Sequence, residues 1–92
     1  MNALGEIALA TGQPGQAHTR YTAALDIAAQ IGRRYEQARA HRGLGHSYLA
    51  TGDQRQARHH WQQALALYAE LGAPEAGQIR ALVAAHDAHR RP

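Results

Sequence analysis

The run LGHSYLATGDQRQARHHWQQALALYAELG, residues 44–72, lies over LGEIALATGQPGQAHTRYTAALDIAAQIG, residues 4–32, without a gap. Twelve of the 29 aligned pairs are identical: Leu4/Leu44, Gly5/Gly45, Leu9/Leu49, Ala10/Ala50, Thr11/Thr51, Gly12/Gly52, Gln16/Gln56, Ala17/Ala57, Ala24/Ala64, Leu25/Leu65, Ala29/Ala69 and Gly32/Gly72. Others keep their character, as in Tyr21/Trp61, Ile27/Leu67 and Ile31/Leu71. Self-similarity at a fixed period of about 20–50 residues marks stacked units, each too small to bury its apolar face alone. A chain built this way points to a binding surface rather than a catalytic cavity.

Inside the repeat the apolar spacing is helical. Ala57, Trp61, Ala64, Leu65, Tyr68 and Leu71 recur at intervals of three and four, with Arg55, His59, Gln62 and Gln63 off the stripe. The preceding segment shows Ala38, His41, Leu44, Gly45, Tyr48 and Leu49 in the same way. Gly12 with Pro14 and Gly15, then Gly32, Gly52-Asp53, and Gly72 with Pro74 interrupt these stripes at regular places. The pattern predicts five helices, roughly 2–11, 15–31, 35–51, 54–71 and 75–89. Asp53 is placed to cap the fourth, and Gly32, Gly52 and Gly72 to end helices in a left-handed conformation. Short connections force successive helices to run antiparallel. The small residues Gly45, Ala57 and Ala64 beside Tyr48 and Trp61 let helix backbones approach closely. The expected core comprises Leu4, Ala8, Ala17, Tyr21, Ala24, Leu25, Leu44, Gly45, Tyr48, Ala57, Trp61, Ala64, Leu65, Tyr68 and Leu82.

Ninety-two residues suit one small domain with a modest core. Helix formers dominate, with no phenylalanine and no cysteine, so the composition favours an all-α chain without disulfides or thiolate metal sites. All ten basic residues are arginine, and the net charge is +3. They are spread along the chain and interrupted by acids, whereas a nucleic-acid reader gathers them on one face with aromatics between. Direct nucleic-acid binding is therefore not expected. No apolar run approaches the roughly 18 residues of a membrane span, and the start, MNALGEIALATG, lacks the basic region of a secretory signal. The expectation is a cytoplasmic protein, or a piece of one, without a membrane association.

Leu44, Gly45, Tyr48, Gly52, Ala57, Trp61 and Ala64 spell L-G-x-x-Y-x-x-x-G-x-x-x-x-A-x-x-x-W-x-x-A. Leu4, Gly5, Gly12, Ala17, Tyr21 and Ala24 repeat it, with Ala8 in place of the aromatic. This run resembles the tetratricopeptide repeat. The resemblance implies an all-α, right-handed stack of antiparallel helix hairpins in a single domain over 1–92. Repeat one is 1–33 with a short first helix, repeat two is 34–73, and a closing helix covers 74–90 from a third copy that begins at Ile79-Arg80-Ala81-Leu82. The period is 40 residues where about 34 is usual, which implies a longer second helix in each repeat. With its closing LALYAELGAPEAGQIRALVAA segment, this form is similar to the C-terminal repeat arrays of large bacterial signal-transduction ATPases and transcriptional activators of the NB-ARC and antibiotic-regulatory-protein types.

Catalytic and metal signatures are weak. Of seven histidines, His86 and His89 are three apart on one helix, while His59 and His60 point about 100° apart and cannot ligate together. Asp87 faces elsewhere. The histidines read as surface or half-buried helix residues, and no metal is expected. Ser47 is the sole serine and its neighbour His46 projects to another side. No phosphate loop, paired carboxylates or cofactor fingerprint is present, so neither an enzyme nor a cofactor is expected.

Binding is the better expectation. The resemblance implies a groove lined by the first helix of each repeat: Arg39, Arg42, His46 and Leu49 from the third helix, Asn2, Glu6 and Leu9 from the first, and Arg80, Val83 and Asp87 from the last. Its arginines suit the carboxylates of a protein or peptide partner. The chaperone-type carboxylate clamp is not matched, because Gly43 and His46 stand where its asparagines would be. The plainer alternative is that Arg39, Arg42 and Arg80 solvate an open face and pair with Glu36, Glu75 or Asp87. Leu4, Ile7 and Leu9 lack an upstream repeat, which predicts a homodimer or a domain swap hinged at Gly12–Gly15 or Gly32–Arg34. The last helix should end in a polar outer side made by His86, Asp87, His89, Arg90 and Arg91. The alternative function is nucleic-acid-associated, either through the arginines or inherited from a transcriptional-regulator parent.

Overall fold

The breaks between the stripes end each helix by one mechanism. Gly52 takes φ +85°, a left-handed conformation that costs a residue without Cβ nothing. Its N–H bonds Leu49 O and the Asp53 N–H bonds Tyr48 O at 2.9 Å, the paired closure of a Schellman motif. The same pair recurs where Gln13 N meets Ala8 O, Arg33 N meets Ala28 O and Ala73 N meets Tyr68 O. Asp53 then accepts from Gln56 N at 3.1 Å and caps the next helix, as expected.

The computed structural model describes residues 2–90, with side chains as far as Asp87. The helices are α1 (Asn2–Ala10), α2 (Pro14–Gln30), α3 (Arg34–Ala50), α4 (Gln54–Glu70) and α5 (Glu75–Arg90). All five predicted helices form. Helices α3 and α4 are each 17 residues long, so the long repeat is shared by both helices rather than carried by the second. Successive helices pack as antiparallel neighbours, and α1 also reaches α3. The result is a stack of helix hairpins whose thinnest dimension, 18 Å, is that of two helix layers.

Two clusters make the core. Ala8, Ala17, Tyr21 and Leu44 form one, edged by Leu9 and Leu25. Ala38, Ala57, Trp61, Ala64, Tyr68, Ala76 and Ile79 form the other, edged by Tyr48, Leu65, Leu82 and Val83. Each large ring lies on glycine. A Cβ on Gly5 or Gly43 would stand 2.8 or 2.2 Å from the Tyr21 ring, and one on Gly45 would stand 2.3 Å from the Trp61 indole. Tyr21 is thereby held between α1 and α3.

The expected core needs one correction at its start. Leu4 is 48% exposed, although its counterpart Leu44 is 3% exposed. Helix α2 packs along α3 and covers Leu44, whereas no described helix lies against the equivalent flank of α1. Leu49 and Leu71, placed on apolar stripes by their spacing, are also exposed. Ala28, Ala40, Ala76, Ile79 and Ser47 are buried beyond expectation, with Ser47 Oγ donating to Gly43 O at 3.0 Å.

Candidate functional site

Four of the residues expected to line a groove lie together on the first helices of the repeats. Glu6 of α1 and Arg39, Arg42 and His46 of α3 line one pocket of about 100 Å³, with Tyr21 and Gly43 beneath. The α3 residues fall at intervals of three and four, so one face of the helix carries them all. Arg39 donates from Nε and Nη2 to Glu6 Oε1 at 2.9 and 2.7 Å, and Glu36 stands 4.0 Å from its Nη1. That guanidinium is already neutralised. Arg42 makes no ion pair within 4.0 Å among the described residues, although its guanidinium acts on Tyr68 by charge and by a side-chain hydrogen bond and on Glu75 by charge. His46 packs edge-on against Trp61 at 5.5 Å. Burial, with the Arg42 charge added, holds its pKa below the ordinary value and favours a neutral imidazole. Tyr21 is pushed the other way by burial, and Glu6 adds to the effect. The pocket therefore offers one cation that no described carboxylate pairs within 4.0 Å, beside neutral hydrogen-bonding groups.

A second, more apolar hollow lies further along α3. Leu49, Gln54, Trp61, Leu82, Ala85 and His86 line an open hollow of about 400 Å³ between α3, α4 and α5. His86 lies edge-on to Trp61 at 5.7 Å. Trp61 Nε1, which lies against Gly45, and His86 Nε2 are buried without a hydrogen-bond partner among the described residues.

The remaining expected residues lie elsewhere. Asn2 is only 4% exposed and donates to Glu36 Oε2 at 3.0 Å, lining a different pocket beside Ala24, Ile27, Ala28 and Ile31. Leu9 edges the first core cluster and Val83 the second. Arg80 is exposed, and Asp87 is bonded by Arg58 at 3.2 Å rather than by an arginine of its own helix. In the 40-residue register Arg39 and Arg42 correspond to Ile79 and Leu82, so α5 turns apolar residues where charge was expected. His89, Arg90 and Arg91 lie outside the described side chains.

A histidine cluster is assembled on the other side of α3. His18 Nε2 meets Tyr48 Oη at 3.0 Å, and His41 Nδ1 meets His60 Nδ1 at 3.0 Å. These histidines come from α2, α3 and α4 and look unrelated along the chain. A usable signal was their register, since His18 follows the buried Ala17 and His60 precedes the buried Trp61. Among the described residues no three His, Asp or Glu side chains converge in a metal-binding group, and no helix is long and apolar enough to cross a membrane.

Comparison with known proteins gives one positive result. A family model described as tetratricopeptide repeat matches residues 1–70. No curated protein and no solved structure matches the chain.

Proposed function

The chain belongs to the tetratricopeptide repeat family, and from that premise we propose that it is a non-catalytic module binding an acidic, partly apolar peptide along α1, α3 and α5. The carrying observation is Arg42. It sits in the pocket with Glu6, Arg39 and His46, yet holds no carboxylate, while Arg39 is already paired. A peptide carboxylate at Arg42 would leave its apolar neighbours to enter the hollow by Leu49, Leu82 and Ala85.

Trp61 is the sole tryptophan and touches both halves of the groove, so its fluorescence reports occupancy. Decapeptides carrying Asp or Glu next to Leu should titrate it, and neutral ones should bind more weakly. Arg42→Ala should weaken binding roughly tenfold or more, the scale of one charge-assisted hydrogen bond. Equal binding by wild type and variant, or no preference for acidic peptides, would count against this site.

Two finer readings accompany the module. The long repeat supports placing the chain in the C-terminal array of a large bacterial signalling or transcriptional regulator. Self-association is supported by the exposure of Leu4, Ile7, Ile27 and Ile31, and sedimentation at high micromolar concentration should show a dimer. The nucleic-acid alternative rests on Arg55, Arg58 and His59, which share one hollow on α4, although Asp87 already holds Arg58. A steep loss of affinity with rising salt would support it, and no shift of a DNA or RNA probe at low salt would remove the direct form.

A further inference from the structure

We propose that His18, His41, His60 and Tyr48 form a proton-sensitive joint between the two repeats, loosening in mildly acidic solution. The joint is three-sided: His18 comes from α2 of repeat one, and His41, Tyr48 and His60 come from α3 and α4 of repeat two. The Tyr48 ring stacks on His60 at 5.4 Å with an 8° interplanar angle, the His41 ring lies 5.2 Å from it, and His59 stands edge-on at 5.2 Å.

The His41–His60 contact needs one N–H and one lone pair. A proton on both rings would set two N–H donors face to face and two like charges together. The charges acting on His60 are those of His41, His59 and His18, from α3, α4 and α2, and no carboxylate is among them. Burial and these neighbours push the His60 pKa down to about 4, and His41 is lowered for the same first reason. An unfolded histidine titrates near 6.5. The unfolded chain therefore binds the extra proton first. Stability from this group is fully present above about pH 6.5 and is lost as the pH falls towards the folded value. At about 100° per residue, His41 and Tyr48 lie on the side of α3 opposite Arg39 and His46, so the joint stands behind the groove wall. Loosening it would change how α2 and α4 are set against α3, and with that the groove.

The test follows the imidazoles of the intact chain by two-dimensional NMR from about pH 7.5 to about pH 4, with a chelator present so that only protons vary. Urea unfolding of wild type and His60→Gln accompanies it. His60 should titrate well below the ordinary histidine value. Between about pH 7.5 and 4.5 the wild-type unfolding constant should rise at least about tenfold more than that of the variant. A His60 titration at about 6.5, or the same acid response in both proteins, would overturn the proposal. If His60→Gln does not fold, the wild-type titration decides alone.

Discussion

Leu4 and Leu44 are the same residue at the same position of the same motif, yet one is 48% exposed and the other 3%. Tyr21 and Trp61 are a similar pair, each nearly inaccessible, but the first is gripped on both sides and the second on one. Gly5 and Gly43 close on Tyr21 from α1 and α3. Trp61 has Gly45 on the α3 side, whereas Val83 stands at the place equivalent to Gly43 and the ring of His86 fills the gap. The lesson is that a repeat motif specifies which side chains face a neighbour, and the neighbour decides how tightly they are held. The apolar hollow lies beside Trp61, the ring that glycine meets on one side only.

The comparison can be broken most forcefully at the two rings. Trp61→Ala should cost roughly 3–5 kcal/mol, enough to approach the whole stability of so small a domain, and Tyr21→Ala should fall at or below the lower end. Urea midpoints measure both, and a modest shift for Trp61 would remove it from the centre of the core. Next come the leucines. Leu44→Ala should cost roughly 2–5 kcal/mol and Leu4→Ala less than about 0.5 kcal/mol in the monomer. Similar losses for both would mean that α1 is covered after all, and concentration dependence of the Leu4 effect would identify a second copy as the cover. The glycines give effects of opposite sign. Gly43→Ala should destabilise by about 1–3 kcal/mol, less the gain in helix propensity, because its Cβ would meet the clamped Tyr21 ring. Gly77→Ala, with nothing within 4 Å of the added carbon, should instead stabilise by up to about 1 kcal/mol. Thermal melts of the two variants should therefore move in opposite directions.

Much of this was legible in the residues because it is local. Gly52 and Asp53 announced a helix end and a helix cap, and both are formed. The stripe through Ala57, Trp61, Ala64 and Tyr68 announced a buried face, and all four are buried. The groove was legible only in part. Glu6, Arg39, Arg42 and His46 line one pocket, since three of them share a face of one helix. Asn2 and Asp87 do not join them, because their partners, Glu36 and Arg58, are 34 and 29 residues away and cannot be read from spacing. The histidine cluster escaped for the same reason: each member is ordinary on its own helix, and only the packing of three helices makes them neighbours.

Residue order alone sets the elements: a twice-used hairpin pattern, its turns, its caps, and the face each helix turns inward. Those follow from backbone preference and from periodicities of three and four, which any stretch of a dozen residues expresses. Tertiary structure alone decided which charges are already spent, which aromatic ring is clamped, and which imidazoles share a proton. Those depend on distances between helices, and a side chain's energy is set by whatever the fold brings within a few ångströms of it.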